Sequence, residues 1–297
     1  MYLDSFADDS QRTMNSALDS IADILSDGKV PADRLAWHLL RSQHVVALRG
    51  RMLRLFAPST TNRYLTALRG VMKAAWRLNL IDRETMEQTV DVAPARGKRE
   101  LKGRAVSTSE VAALFAACSK DANKPLGARD AAVLALLYGS GLRRAEAADA
   151  LADNFDPQHG RLRIIGKGNK ERDVYLPAGT LAAVLAWLEH RGAGAGFLFN
   201  RISKSGTVIN DHGITAQLIY HVVRQRHLEA GIEPFTPHDL RRSFISKILD
   251  EGVDLATVAR QVGHSNVQTT ARYDRRDDHA QQRGVLKLDV PFKARSG

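Results

Sequence analysis

The residues that could do chemistry fall in three short runs. Gly139-Ser140-Gly141-Leu142-Arg143-Arg144-Ala145-Glu146 lies mid-chain, and His238-Asp239-Leu240-Arg241-Arg242 lies well beyond it. Gly263-His264 follows, with Tyr273 nine residues after the histidine. Two arginines and two histidines can gather around one phosphate, and a tyrosine hydroxyl can attack it. Phosphodiester cleavage without a metal needs a nucleophile, stabilisation of charge in a phosphorane-like transition state, a proton donor for the leaving 5′ oxygen, and correct placement of all three. Each has a candidate here.

Arg143 and Arg241 are the candidate phosphate clamp, because a guanidinium stays charged and binds two phosphate oxygens as a fork. Arg143 follows a Gly-Ser-Gly-Leu turn into a predicted helix, a position that favours an anion. Glu146, three residues on, can hydrogen-bond it. His238 and Arg241 share one face of a predicted helix, while Leu240, Phe244 and Ile248 form its apolar side. Their neighbours Arg144 and Arg242 should point elsewhere. His264 follows Gly263, where a helix should end, and can donate to a phosphate. Tyr273 is the candidate nucleophile, a phenol that needs nearby cations or a base to attack. The other five tyrosines have ordinary explanations: Tyr64 and Tyr220 on apolar helical stripes, Tyr138 closing a helix, Tyr175 in a strand, and Tyr2 at the terminus. Lys167, in the turn Gly166-Lys167-Gly168-Asn169-Lys170-Glu171, could protonate the leaving oxygen, and Lys170 is an alternative.

Taken in order, these runs resemble the tyrosine recombinase (phage integrase) family. Gly-Leu-Arg-x-x-Glu around Arg143 is similar to that family's first arginine box. Thr236-Pro237-His238 through Phe244 is similar to the second, and Gly263 through Tyr273 to the nucleophile segment. Ile165-Gly166-Lys167-Gly168-Asn169-Lys170-Glu171-Arg172 resembles the family's β-hairpin lysine region, with Lys167 in the lysine's place. The resemblance covers about residues 105–275.

These residues need elements to hold them. Ser10 to Leu25 carries Met14, Leu18, Ile21 and Leu25 at helical spacing, and Ala32 to Leu55 reads as a second helix interrupted near Gly50. A third helix opens at Ser59, with Tyr64, Leu65, Leu68, Met72, Ala75 and Trp76 on one side and Arg63, Arg69, Lys73 and Arg77 on the other. That basic stripe is the candidate DNA-binding face. Residues 95–105 hold five basic residues against one acidic and have no apolar period, so they read as a linker whose Lys98 and Arg99 could track a DNA backbone. Ser107-Thr108-Ser109-Glu110 has the pattern of a capping box and opens the next domain. Beyond it the pattern predicts helices over 108–119, 128–138, 144–151, 178–190, 212–230, 238–250 and 254–262. Strands are expected over 161–165, 172–176 and 197–200.

Composition narrows the partners. A net charge of +10 suits a polyanion. The single cysteine, Cys118, cannot pair internally and falls in an apolar helical run. There is no signal-peptide pattern and no apolar stretch of membrane-spanning length, so a cytoplasmic, nucleoid-associated protein with no membrane partner is expected. No phosphate-binding glycine loop or zinc-ligand spacing is present, so no cofactor and no metal are expected.

The resemblance implies two domains. An all-α core-binding domain of the SAM-like helical-bundle kind would span 1–94, and the basic linker 95–105. A mixed α+β, mainly helical catalytic domain with a small antiparallel sheet would span 106–297. It further implies a C-shaped clamp on double-stranded DNA. Strand exchange would pass through a 3′-phosphotyrosine link and a Holliday junction in a homo-tetramer, with a monomer or weak oligomer off DNA. An accessory or directionality factor, a phage or other mobile-element setting, and no arm-binding domain, as in short Xer-like members, are the accompanying expectations. The tail Val285-Leu286-Lys287-Leu288-Asp289-Val290-Pro291-Phe292 would dock on a neighbouring subunit or on its own domain. Two rival readings remain at this stage. A type IB topoisomerase would use related chemistry at a single site, and a non-catalytic DNA-binding regulator would form no covalent adduct.

Overall fold

The computed structural model of the chain describes residues 2, 3, 6, 8–97, 103–166 and 169–274. Lys98, Arg99, Lys167 and the 285–292 stretch lie outside the described residues. The chain divides into two compact units, 1–102 and 103–297.

The described part of the first unit is helical: α1 (Asp8–Ser26), a 3₁₀ turn at Trp37–Leu39, α2 (Ser42–Leu55), α3 (Pro58–Arg77) and α4 (Arg83–Val90). Leu18 and Ile21 of α1, Val45, Leu48 and Met52 of α2, and Leu65, Leu68 and Met72 of α3 meet in one core. Burying each such side chain contributes about 1.5–3 kcal/mol. Pro58 opens α3, where a missing N–H costs nothing. Asp82 caps α4 by accepting from the Thr85 N–H at 2.6 Å.

Three expectations change here. The second helix begins at Ser42 rather than Ala32, and Gly50 does not interrupt it. The stretch before it instead closes on itself, with Trp37 Nε1 donating to Ala32 O at 2.8 Å. Trp76 is 38% exposed, not on the buried side of α3. Arg69 also departs from its expected surface role. It donates from Nε to Val90 O at 3.0 Å and from Nη2 to Val92 O, stapling α3 to the end of α4 and the segment that follows. Arg63, Lys73 and Arg77 are exposed.

The second unit runs α5 (Thr108–Ser119), α6 (Lys124–Ser140), α7 (Arg144–Ala148), β1 (Phe155–Asp156), β2 (Arg161–Gly166), β3 (Lys170–Tyr175), α8 (Ala178–Arg191), β4 (Asn200–Ile202), β5 (Val208–Gly213), α9 (Ala216–Glu229), α10 (Pro237–Asp250), α11 (Leu255–Val262) and α12 (Val267–Ala271). β1-β2-β3 form an antiparallel sheet, and β4-β5 form a separate antiparallel pair. The central helix is α6. Ala132 through Leu137 are all buried, so its apolar surface runs all round, as a core helix requires. Around it pack Leu114, Leu162, Val174, Trp187, Phe199, Ile219 and Leu240. Cys118 is buried in this core, and burial pushes its thiol up to about 12, which leaves it unreactive.

The expected capping box is present: Ser107 N donates to Glu110 Oε2 at 2.8 Å, and Glu110 N donates to Ser107 Oγ at 3.3 Å. The helix expected from 128 starts at Lys124, because Asn123 caps it and Pro125 fits its first turn. The helix expected over 144–151 stops at Ala148, and Leu151 bridges to Phe197 instead. The helix expected over 212–230 begins only at Ala216, capped by Thr215. The preceding residues are β5, paired with β4, so the strand expected over 197–200 lies at 200–202. Gly166 pairs with Lys170, so Lys170 opens β3 rather than sitting in the turn. No helix among the described residues is long and apolar enough to cross a membrane.

Candidate active site

The second unit brings Arg143, Glu146, His238, Arg241, His264 and Tyr273 together, and local structure explains how. Gly141, in the left-handed conformation at φ 65°, ends α6 and turns the chain toward Arg143. Arg143 is the N-cap of α7. Glu146 Oε2 accepts from the Arg143 N–H at 2.9 Å, and Oε1 accepts from Arg143 Nη1 at 2.7 Å, so the expected support is present.

α10 starts with Pro237 and a capping box in which Thr236 N–H and Oγ1 donate to Asp239 Oδ2 at 2.9 and 2.7 Å. That fixes the first turn, which carries His238 and, three residues on, Arg241. Arg241 is 2% exposed. Its Nη1 donates to Gly141 O at 2.6 Å and its Nη2 to Val262 O at 2.7 Å.

The C-terminus of α11 is where the arginines converge. Arg172 Nε donates to Gln261 O at 3.0 Å, Arg241 Nη2 to Val262 O, and Arg143 Nη2 to Gly263 O at 2.6 Å. Three consecutive carbonyls at the negative end of one helix thus each accept from an arginine. Gly263 then turns through φ 67°, and His264 follows, with Nδ1 2.8 Å from Thr270 Oγ1.

Tyr273 lies just past α12. Its ring belongs to a small apolar cluster with Phe244, Ile245, Leu249, Val258 and Val262. Its hydroxyl leaves that cluster to meet His238, Nε2 to Oη 3.1 Å. The His264 ring lies near-parallel to the Tyr273 ring, centroids 6.4 Å apart.

Charge in the site is unbalanced toward the positive. Glu146 faces two guanidiniums, Arg143 and Arg172, and Arg241 stands close by. Burial alone would raise the Glu146 pKa, but hydrogen bonds from Arg172 and from the Arg143 N–H hold it below the usual carboxylate range. Burial, then the charge of Arg143, pushes Arg241 down to about 10, still protonated at neutral pH. Burial, then Arg241 and Arg143, push His264 down to about 4. Burial, then Arg241 and Arg242, lower His238. The arrangement is therefore cationic guanidiniums with neutral imidazoles, an environment that a phosphate monoanion would relieve. A cavity of about 330 Å³ lies there, lined by Leu142, Arg143, Arg144, Tyr220, Thr236, Pro237, His238 and Arg241.

Four residues differ from the sequence reading. Arg144 lines that cavity beside Arg143, because the chain is only entering α7 at this point. Tyr220 lines it too, so its stripe is not wholly core. Arg242 is 4% exposed, donates to Gly103 O at 3.1 Å, and places Cζ 5.7 Å from the Tyr273 ring centroid. Arg172 of the β2–β3 hairpin, given no role from sequence, is held between Glu146 and the end of α11, and its place in the run 165–172 was the one signal pointing to it. Lys170 is exposed.

Comparison with known proteins gives the family. Residues 104–280 match the phage integrase family. Tyrosine recombinase XerD of Pseudomonas putida is 33% identical over 246 residues, 81% of this chain and 74% of that protein. Tyrosine recombinase XerC of Alcanivorax borkumensis is 32% identical over 256 residues, 84% of this chain and 78% of that one. In fold, the chain is similar to the XerH site-specific recombinase bound to palindromic difH substrate, with a TM-score of 0.69 at 19% identity over 94% of this chain and 79% of that one. It is also similar to the Tn1549 transposon integrase in complex with transposon right end DNA, with a TM-score of 0.66 at 13% identity over 95% and 94%. Family match and site geometry lead to one conclusion: the chain is an enzyme of the phage integrase family, a tyrosine site-specific recombinase.

Proposed function

We propose that this recombinase cuts and rejoins double-stranded DNA at paired sites through Tyr273. The observation that carries the reading is the 3.1 Å approach of Tyr273 Oη to His238 Nε2 beside the Arg143 and Arg241 guanidiniums. Oη attacks the scissile phosphorus while its proton passes to His238 Nε2, which is neutral and able to accept it in the Nδ1–H tautomer. Arg143 and Arg241 turn donors from carbonyl oxygens toward the non-bridging phosphate oxygens, and His264 adds another. The 5′ oxygen leaves with a proton, for which Lys167 is the donor. A 3′-phosphotyrosine bond keeps the energy of the broken strand, so rejoining needs no cofactor.

Exchange between two duplexes then proceeds through a Holliday junction in a homo-tetramer, as part of an integration or resolution event in the nucleoid. The XerH and Tn1549 integrase complexes with DNA support the choice of substrate. The exposed cations Arg63, Lys73 and Arg77 of α3, together with Lys98 and Arg99, supply backbone contacts in this reading. The test is a supercoiled plasmid carrying two copies of a site recovered by trapping covalent adducts on DNA. Exchange of the segments between the sites is expected. Relaxation from a single site without exchange would assign a topoisomerase, and binding without an adduct a regulator.

A further inference from the structure

Arg172 is an arginine of the site that the proposed chemistry leaves unused. It lies on β3, paired across the sheet with Ile164 of β2, and its side chain is 14% exposed. Its Nη1 and Nη2 donate to Glu146 Oε1 and Oε2 at 3.1 and 2.8 Å, a fork on a carboxylate that is itself 6% exposed. Each of those oxygens also serves Arg143, Oε1 through Nη1 and Oε2 through the backbone N–H.

This sharing has a geometric consequence. A carboxylate left to one arginine favours the two-nitrogen fork. With Arg172 occupying the fork, Arg143 reaches Glu146 through a single side-chain nitrogen. The second nitrogen of Arg143, Nη2, is therefore left to Gly263 O at 2.6 Å instead of folding onto Glu146. The third bond of Arg172, Nε to Gln261 O, fixes the end of α11. There Arg172 lies against Gly263, where an added Cβ would stand 2.9 Å from its Cζ. Gly263 carries the turn into His264.

We propose that Arg172 is a positioning residue for cleavage, setting Arg143 through Glu146 and His264 through the C-terminal turn of α11. Unlike Arg143 and Arg241, it is not among the residues lining the cavity, and both its terminal nitrogens are held on the buried Glu146 carboxylate rather than on carbonyl oxygens. The inference rests on the reading of the site as a phosphate clamp.

The test uses the full chain and a nicked duplex carrying its site, with the scissile group either an ordinary phosphodiester or a methylphosphonate. The methylphosphonate lacks the negative charge that the arginines stabilise. R172Q is expected to bind both duplexes as the wild type does. It should cleave the phosphodiester about tenfold to a hundredfold more slowly, the scale of a small misplacement. It should recover most of that loss on the methylphosphonate, as R143A should. Equal slowing on both duplexes would make Arg172 a structural staple and overturn the proposal, as would undiminished cleavage of the phosphodiester. If R172Q does not fold, R172K decides, since it keeps the charge without the fork. It must show the same substrate-dependent loss, and wild-type cleavage by R172K overturns the proposal. Wild-type protein that forms no adduct on either duplex would withdraw the clamp reading itself, which separates the two failures.

Discussion

Tyr273 Oη stands 3.1 Å from His238 Nε2, while the tyrosine ring is packed among Phe244, Ile245 and Val262 and capped by the Arg242 guanidinium. The hydroxyl and the ring therefore do separate jobs. Tyr273→Phe keeps the packing and the cation–π contact and removes one partly buried hydrogen bond. Stability is expected to fall by about 1 kcal/mol or less, with DNA affinity nearly unchanged. Covalent attachment to a nicked suicide duplex should drop to background on denaturing electrophoresis. A surviving adduct would move the nucleophile elsewhere, with Tyr220 on the cavity wall the first residue to examine.

Arg143→Ala and Arg241→Ala are each expected to slow single-turnover cleavage by on the order of a hundredfold or more, the cost of losing one preorganised donor. Their effects on stability should differ. The Arg143 side chain is 42% exposed, whereas Arg241 is buried and satisfies Gly141 O and Val262 O. Arg241→Ala leaves those acceptors short, at about 1–3 kcal/mol for a buried unsatisfied group. Arg242→Ala should also destabilise the protein, because its buried side chain donates to Gly103 O. Thermal melts alongside the cleavage rates check all three. Arg143→Ala melting well below Arg241→Ala would contradict the account.

The gathering of the candidate site residues was legible because they sit at turns and helix starts whose chemistry is local: Gly141 before Arg143, the Thr236–Asp239 box before His238, Gly263 before His264. Each is a short-range signal readable within about ten residues. Arg172 and Arg242 were not legible, since their roles depend on which carbonyl, carboxylate or ring the fold brings to them from far along the chain. The bonds of Arg69 were hidden for the same reason: on a helical wheel it belongs near the basic stripe, but α4 and the segment after it come close enough to take its donors. Only the end of β5, His212 and Gly213, reads as the start of a helix, and Val208 and Ile209 carry no period long enough to mark a six-residue strand.

His264 is expected to titrate at about 4 in the DNA-free protein. Burial and the neighbouring arginines disfavour its charged form. Its folded-state pKa lies below the ordinary 6.5, so the unfolded chain binds the proton more readily. The resulting stability is present above about 6.5 and is lost as pH falls toward 4. His264→Asn should flatten that part of the stability-against-pH curve relative to wild type. Imidazole NMR signals followed from pH 8 to 4 test the same point directly, and a midpoint at or above 6.5 for His264 would refute it.

On α3, Arg63, Lys73 and Arg77 are expected to act on DNA through charge alone. Each changed to Ala should weaken binding across sequences and reduce the slope of log affinity against log salt by about one. Arg69→Ala should instead lower the melting temperature and leave the slope unchanged, because its donors already serve Val90 O and Val92 O. A slope change from Arg69→Ala equal to that of Arg63→Ala would return Arg69 to the DNA-facing set.

The leaving-group proton can be assigned by changing the leaving atom. Lys167→Ala is expected to cleave an ordinary phosphodiester slowly, because an alkoxide leaves poorly without a proton. A bridging 5′-phosphorothiolate at the same bond should restore most of the rate, since a thiolate leaves without one. Lys170 is the rival, and its position weakens that claim: it pairs with Gly166 as the first residue of β3, so the ladder fixes its backbone. Lys170→Ala should therefore be slowed little on either duplex. Rescue of Lys170→Ala by sulfur, with none for Lys167→Ala, would transfer the role. Equal defects of Lys167→Ala on both duplexes would remove it from proton transfer and leave it a contact to the DNA backbone.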